Sequence, residues 1–168
     1  MLNIRQYPKV ITLLFFIMLT ACTSQHSSDN NILVGIVTKD ELLKKEKTFS
    51  ENYRDFSLAT SDQISISHWP ENLHIDIYFA TWCHDSKREV PNMLSILDEK
   101  PEVTYRLIAL DFNKNPPENL DQTINIKFTP TIVVYVGDKE IGRIIERPID
   151  SLVKDITRFY VKSLKVID

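Results

Sequence analysis

The residues with the most chemical potential share one stretch, FATWCHDSKREVPNML at 79–94. It sets Cys83 between Trp82 and a short polar run, at what reads as the start of a helix. Ser86 stands three places after the cysteine and Pro91 five places after that. A cysteine thiolate attacks disulfides. A serine hydroxyl neither ionises near neutral pH nor forms a disulfide. The Cys83–Ser86 pair therefore offers at most half of a two-thiol cycle. The neighbours can tune it. A protonated His84 favours the thiolate and Asp85 opposes it, although both also suit the solvated first turn of a helix, where an acid complements the dipole. Lys87 and Arg88 read as a solvated helix face. Cys83, His84 and Asp85, taken with His68 or His74, show no metal-ligand spacing, so neither a metal nor another cofactor is expected.

Composition narrows the function classes. The chain has 168 residues, 43% hydrophobic and 26% charged, which supports one ordinary core. A net charge of −3 without any Lys/Arg block argues against nucleic acid as a partner. Three glycines leave no Gly-rich phosphate loop.

The first two dozen residues form a separate unit. Arg5 and Lys9 precede the apolar run VITLLFFIML, which is too short to span a bilayer, where about 20 residues are needed. The run ends in LTAC, Leu19 to Cys22, which resembles the lipobox of bacterial lipoproteins. That resemblance implies cleavage before Cys22, lipidation of its thiol, and a mature chain outside the cytoplasm. Thr23 in second place resembles lipoproteins passed to an outer membrane. The other reading is an ordinary signal peptide with an incidental cysteine. If Cys22 carries lipid, Cys83 is the sole free thiol and no intramolecular disulfide can form.

The elements that would position Cys83 are legible in outline. Residues 39–56 read as a helix or helix pair opened by a Thr38/Glu41 capping box. The following TSDQISISHWPEN is turn-rich and has no clear class. LHIDIYFA at 73–80 alternates as a strand, and a helix bent by Pro91 follows Cys83 to about Glu99. VTYRLIALDF at 103–112 is a second strand, and 113–128 a loop with room for a short helix. Strands at 131–137 and 140–146 make a hairpin through Gly137 and Asp138, and an amphipathic helix closes the chain. The crossover makes the first two strands parallel, in a mixed sheet with helices on both faces.

Three of these features together resemble the thioredoxin family. FATWCHDSK is similar to its active-site segment, Pro91 to its helix-kinking proline, and TPTIVVYVGDKEIGRI to its Pro-Thr loop, strand and hairpin. The resemblance covers roughly residues 60 to 165. It implies a thioredoxin fold: an α/β domain with a central mixed sheet of about four strands flanked by helices, here with an extra N-terminal helical segment. The corresponding domain plan is a signal peptide at 1–21, lipidated Cys22 and a flexible tether at 22–37, a helical extension at 38–59 and the thioredoxin-like domain at 60–168. It further implies a cis Thr129–Pro130 bond facing Cys83, and a Thr129 backbone that pairs with an extended substrate beside Trp82 and Phe128. Two departures stand out. The family's second active-site cysteine is Ser86 here, and its buried acid on the preceding strand is Ile77. The nearest acid, Asp76, points to the opposite face by alternation.

If Cys83 caps a helix as the family implies, the first turn favours its thiolate, and Ser86 can donate a hydrogen bond to it. The expected activity is monothiol exchange: a mixed disulfide with a cysteine-containing client or a low-molecular-weight thiol, released only by an outside thiol. The alternative is a non-catalytic binding or chaperone-like lipoprotein that docks an extended partner at the proline groove. The expected location is extracytoplasmic, monomeric and lipid-anchored to a bacterial membrane, the outer one favoured.

Overall fold

Strand β2, Leu73–Phe79, is apolar on one side and mixed on the other, and both sides are covered. Leu73, Ile75, Ile77 and Phe79 enter the main core, while Tyr78 enters a smaller cluster on the opposite face. The computed structural model describes residues 32–115, 117, 120 and 124–165. The signal segment, Cys22 and tether residues 22–31 lie outside the described residues.

Pairing around β2 fixes the sheet. β3 (Thr104–Ala109) runs parallel to it, and β4 (Thr131–Val136) runs antiparallel on the other side. β5 (Lys139–Ile145) continues from β4 through the Gly137–Asp138 turn, where Gly137 takes a φ of 58° that favours glycine. β1 (Gly35–Val37) pairs antiparallel with β3, giving the order β1-β3-β2-β4-β5. Among the described residues the sheet thus has five strands, one more than the roughly four expected. The extra strand falls inside the expected tether, whose last residues are ordered into the sheet edge with Leu33 and Val37 buried.

Among the described residues, five helices follow from local signals of unequal strength. α1 (Lys39–Lys45) begins at Thr38, whose hydroxyl accepts the Glu41 N–H at 3.1 Å. α2 (Lys47–Asp55) buries Phe49 against Phe79, ring centroids 5.8 Å apart. α3 (Thr60–Ser67) occupies the stretch whose class the sequence left open, and Ile66 is its one buried residue. α4 (His84–Asp98) is the crossover between β2 and β3 and carries Pro91 within it. α5 (Leu152–Leu164) starts at Ser151, which caps the Lys154 N–H, and packs Leu152, Val153 and Ile156 into the main core. Its Phe159 lies against Gly142 of β5 so closely that a Cβ there would collide with the ring.

All five helices contribute to the main core. Among the described residues, the second face is closed instead by the segment after β3, through Leu110 and Ile126 with Leu120 and Ile124 alongside. The sequence of that segment, with Pro116 and Pro117 adjacent, disfavours a long helix there.

Candidate functional site

The end of β2 and the start of α4 hold Cys83 in place. Its N–H donates to the Ala80 carbonyl at 3.0 Å, and its own carbonyl accepts the first α4 bond from the Lys87 N–H at 3.1 Å. Cys83 is thus the N-cap of α4, with extended backbone angles and the helix's positive end beneath its sulfur. The side chain is half-buried, neither sealed in the core nor fully in water.

Across from it the Thr129–Pro130 bond is cis. The protonated Cys83 thiol donates to the Thr129 carbonyl at 3.0 Å. That bond favours the neutral thiol, whereas the other contacts favour the anion. Burial of the sulfur pushes the thiol up. Hydrogen bonding from the Thr129 side chain, the Ser86 backbone and hydroxyl, and the Asp85 backbone outweighs burial, so Cys83 lies below the ordinary cysteine value.

Ser86 is fully buried one turn into α4, and its hydroxyl also accepts the Ala80 N–H at 3.3 Å. It thus joins the last residues of the β2 run to the sulfur. Asp85 lies on the first turn and pairs with Arg88 at 2.8 Å; Arg88 also binds Glu89 at 2.7 Å. His84 projects into solvent with 89% of its side chain exposed. The Lys87 carbonyl accepts the Asn52 amide at 2.7 Å, which ties α2 to the site helix. Asp111 caps its own loop by accepting the Asn115 N–H at 3.0 Å. His68 bonds the Ile64 carbonyl and His74 bonds Thr104 and Asp76, so neither turns toward Cys83. Among the described residues, no three His, Cys, Asp or Glu side chains are grouped to hold a metal ion.

Trp82 immediately precedes Cys83, and Thr129, which leads into the cis Pro130, meets the sulfur with its carbonyl. Trp82 is 36% exposed and stacks on Phe112, centroids 5.6 Å apart and planes at 21°. The sequence reading missed Phe112, because the apolar run of 103–112 hides where the strand stops. β3 ends at Ala109, leaving Phe112 outside the sheet. Ile77 is fully buried in the main core, and Asp76 lies on the other face, where Arg106 holds it. No carboxylate occupies the family's acid position on β2.

A family model described as Thioredoxin matches residues 36–157. The chain belongs to the thioredoxin family. Among solved structures, this thioredoxin-family chain is similar to a protein of unknown function from Pseudomonas aeruginosa. The TM-score is 0.61 at 11% identity, covering 74% of this chain and 92% of that one. It is also similar to an HIV epitope-scaffold, with a TM-score of 0.50 at 13% identity, covering 78% of this chain and 98% of that one. At those identities the likeness shows the fold. No curated protein matches the chain. A thioredoxin-like domain supports a redox or a binding role, and the site's own geometry bears on which.

Proposed function

We propose that this chain is a CxxS thioredoxin-like lipoprotein, anchored through Cys22 on the outer side of a bacterial membrane, that performs thiol–disulfide exchange through Cys83 alone. The Cys83 thiolate attacks a disulfide of a client or of a low-molecular-weight thiol. A bond forms between Cys83 Sγ and one sulfur, the original disulfide breaks, and the other sulfur leaves as a thiolate that takes a proton from water. The attacked disulfide is the oxidant. Ser86 cannot expel the captured partner, so the adduct persists until an outside thiol attacks it: a second client cysteine, a small thiol or a partner oxidoreductase. That chemistry suits isomerisation or reversible capture rather than dithiol reduction.

The observation that carries this reading is the half-buried Cys83 at the α4 N-terminus, its thiol lowered by hydrogen bonding from Ser86 and Thr129. A merely structural cysteine would be sealed and inert. The test is the pH dependence of Cys83 alkylation, joined to recovery of Cys83-linked adducts from cells. The rate should rise through a half-point below the free-thiol value of about 8.5 and then level off. Adducts should appear in the wild type and vanish in Cys83→Ser. An ordinary half-point without adducts would favour the binding-module alternative.

A further inference from the structure

The hydrogen-bond ladder of α4 is interrupted close to Cys83. In an α-helix the N–H of residue i donates to the carbonyl of residue i−4. Pro91 stands four residues after Lys87 and has no N–H, so the Lys87 carbonyl loses its helical donor. The replacement comes from outside the helix. Asn52 of α2 gives its side-chain amide to that carbonyl at 2.7 Å, in a half-buried setting. A carbonyl only accepts, so the amide nitrogen is the atom that must face it. α2 is itself braced along α4. The Ser95 hydroxyl donates to the Tyr53 carbonyl at 3.2 Å, and the Tyr53 hydroxyl donates to Asp98. Phe49 packs on Phe79 at the end of β2.

Resting on the exchange reading above, we infer that Asn52 is a positioning residue for Cys83: its amide replaces the missing Pro91 N–H and so fixes the first turn of α4, which has Cys83 as its cap and Ser86 within it. The bond acts on that turn directly. The Lys87 N–H donates to the Cys83 carbonyl at 3.1 Å, while the Lys87 carbonyl takes Asn52. Proline also crowds the turn before it, which weakens the link between residues 84–87 and the rest of the helix. The Asp85 and Ser86 N–H groups and the Ser86 hydroxyl, which favour the thiolate, all lie in that turn. Their effect depends on pointing at the sulfur, because a hydrogen bond weakens steeply as it bends. Held by Asn52, the turn keeps that aim. Released, it shifts and the donors diverge. The helical extension before the thioredoxin-like core thereby has a task in the site, through α2.

The test uses the full chain and the pH–rate profile of Cys83 alkylation, read by mass on the peptide that carries Cys83. Mixed-disulfide formation with hydroxyethyl disulfide is measured alongside. Asn52→Leu keeps the side chain's size and removes the donor, and Asn52→Ala serves where the Leu chain does not fold. Either should raise the half-point by about 0.5 pH, an about threefold loss of thiolate below it. Pro91→Ala returns an N–H to the Lys87 carbonyl. In that background the Asn52 substitution should move the half-point by less than half as much, a coupling that a double-mutant cycle reads. Tyr53→Phe cuts the tie to Asp98 at the far end of α4 and should leave the half-point where it is, whereas a general loosening of α2 would move both. An unmoved half-point in the Asn52 variants, a full shift in the Pro91→Ala background, or an equal shift in Tyr53→Phe would overturn the inference. A wild type that forms no mixed disulfide would overturn the exchange reading alone, since the profiles still decide the role of Asn52.

Discussion

At the scale of single residues, the telling exchange is a hydroxyl at position 86. Ser86 is fully buried, takes the Ala80 N–H and helps hold the Cys83 thiol down. It keeps the activating half of a two-cysteine site and lacks the releasing half. Ser86→Ala removes the hydroxyl donor while leaving the backbone N–H in place. The Cys83 half-point should move upward and the alkylation rate at neutral pH should fall, both read from a pH–rate profile. The Ala80 N–H also loses its acceptor, which should cost about 1–3 kcal/mol in denaturant unfolding. The linkage has a definite sign. A thiol lowered in the folded state makes the unfolded state the better proton binder between the folded and unfolded pKa values. Wild-type stability therefore rises with pH across that window and is lost as pH falls through the folded value. Ser86→Ala should narrow the window from below.

At the scale of elements, β2 and β3 show what periodicity reveals and what it hides. Alternation in 73–79 told which side of β2 faces the main core, and with it that Asp76 points away from Cys83. It did not tell what Asp76 meets. The parallel register sets Asp76 beside Arg106, and the guanidinium reaches the carboxylate through two bonds, at 2.6 and 2.5 Å. His74 adds a third contact at 3.0 Å. Only pairing between strands 30 residues apart assembles that cluster, so no local pattern announces it. Arg106→Met should leave a buried carboxylate without its cation and destabilise the fold by about 3 kcal/mol. That lies at the low end for breaking a buried pair, because Arg106 is itself half-exposed, and thermal or urea unfolding would measure it. The less legible elements failed for physical reasons. α3 buries only Ile66, too little to print a helical stripe. β1 is three residues long, opens on Gly35 at a φ of 113°, and is held by its register with β3 rather than by propensity. The thiol and its serine were legible because each is a distinctive residue type beside a strongly patterned strand, whereas the cis Thr129–Pro130 bond was implied only by the family resemblance.

At the scale of the whole molecule, the question is what would keep the protein at a membrane. No helix among the described residues is long and apolar enough to cross one. A net charge of −3 and no basic cluster give little attraction to anionic headgroups. Under the lipoprotein reading, retention then falls to acyl chains on Cys22, each buried methylene contributing about 0.8 kcal/mol. Cells fed an alkyne fatty acid should label the wild type and Cys83→Ser equally, and Cys22→Ser not at all. The acyl label is the decisive readout, because an uncleaved apolar leader can sediment with membranes by itself. Sedimentation resistant to high salt should accompany the label, since salt screens charge and leaves hydrocarbon burial intact. Label persisting in Cys22→Ser would place the lipid elsewhere. A wild type with no label and a processed N-terminus would make Cys22 a second free thiol. Cys83 would then have a candidate partner in its own chain, and the single-thiol mechanism would lose its premise.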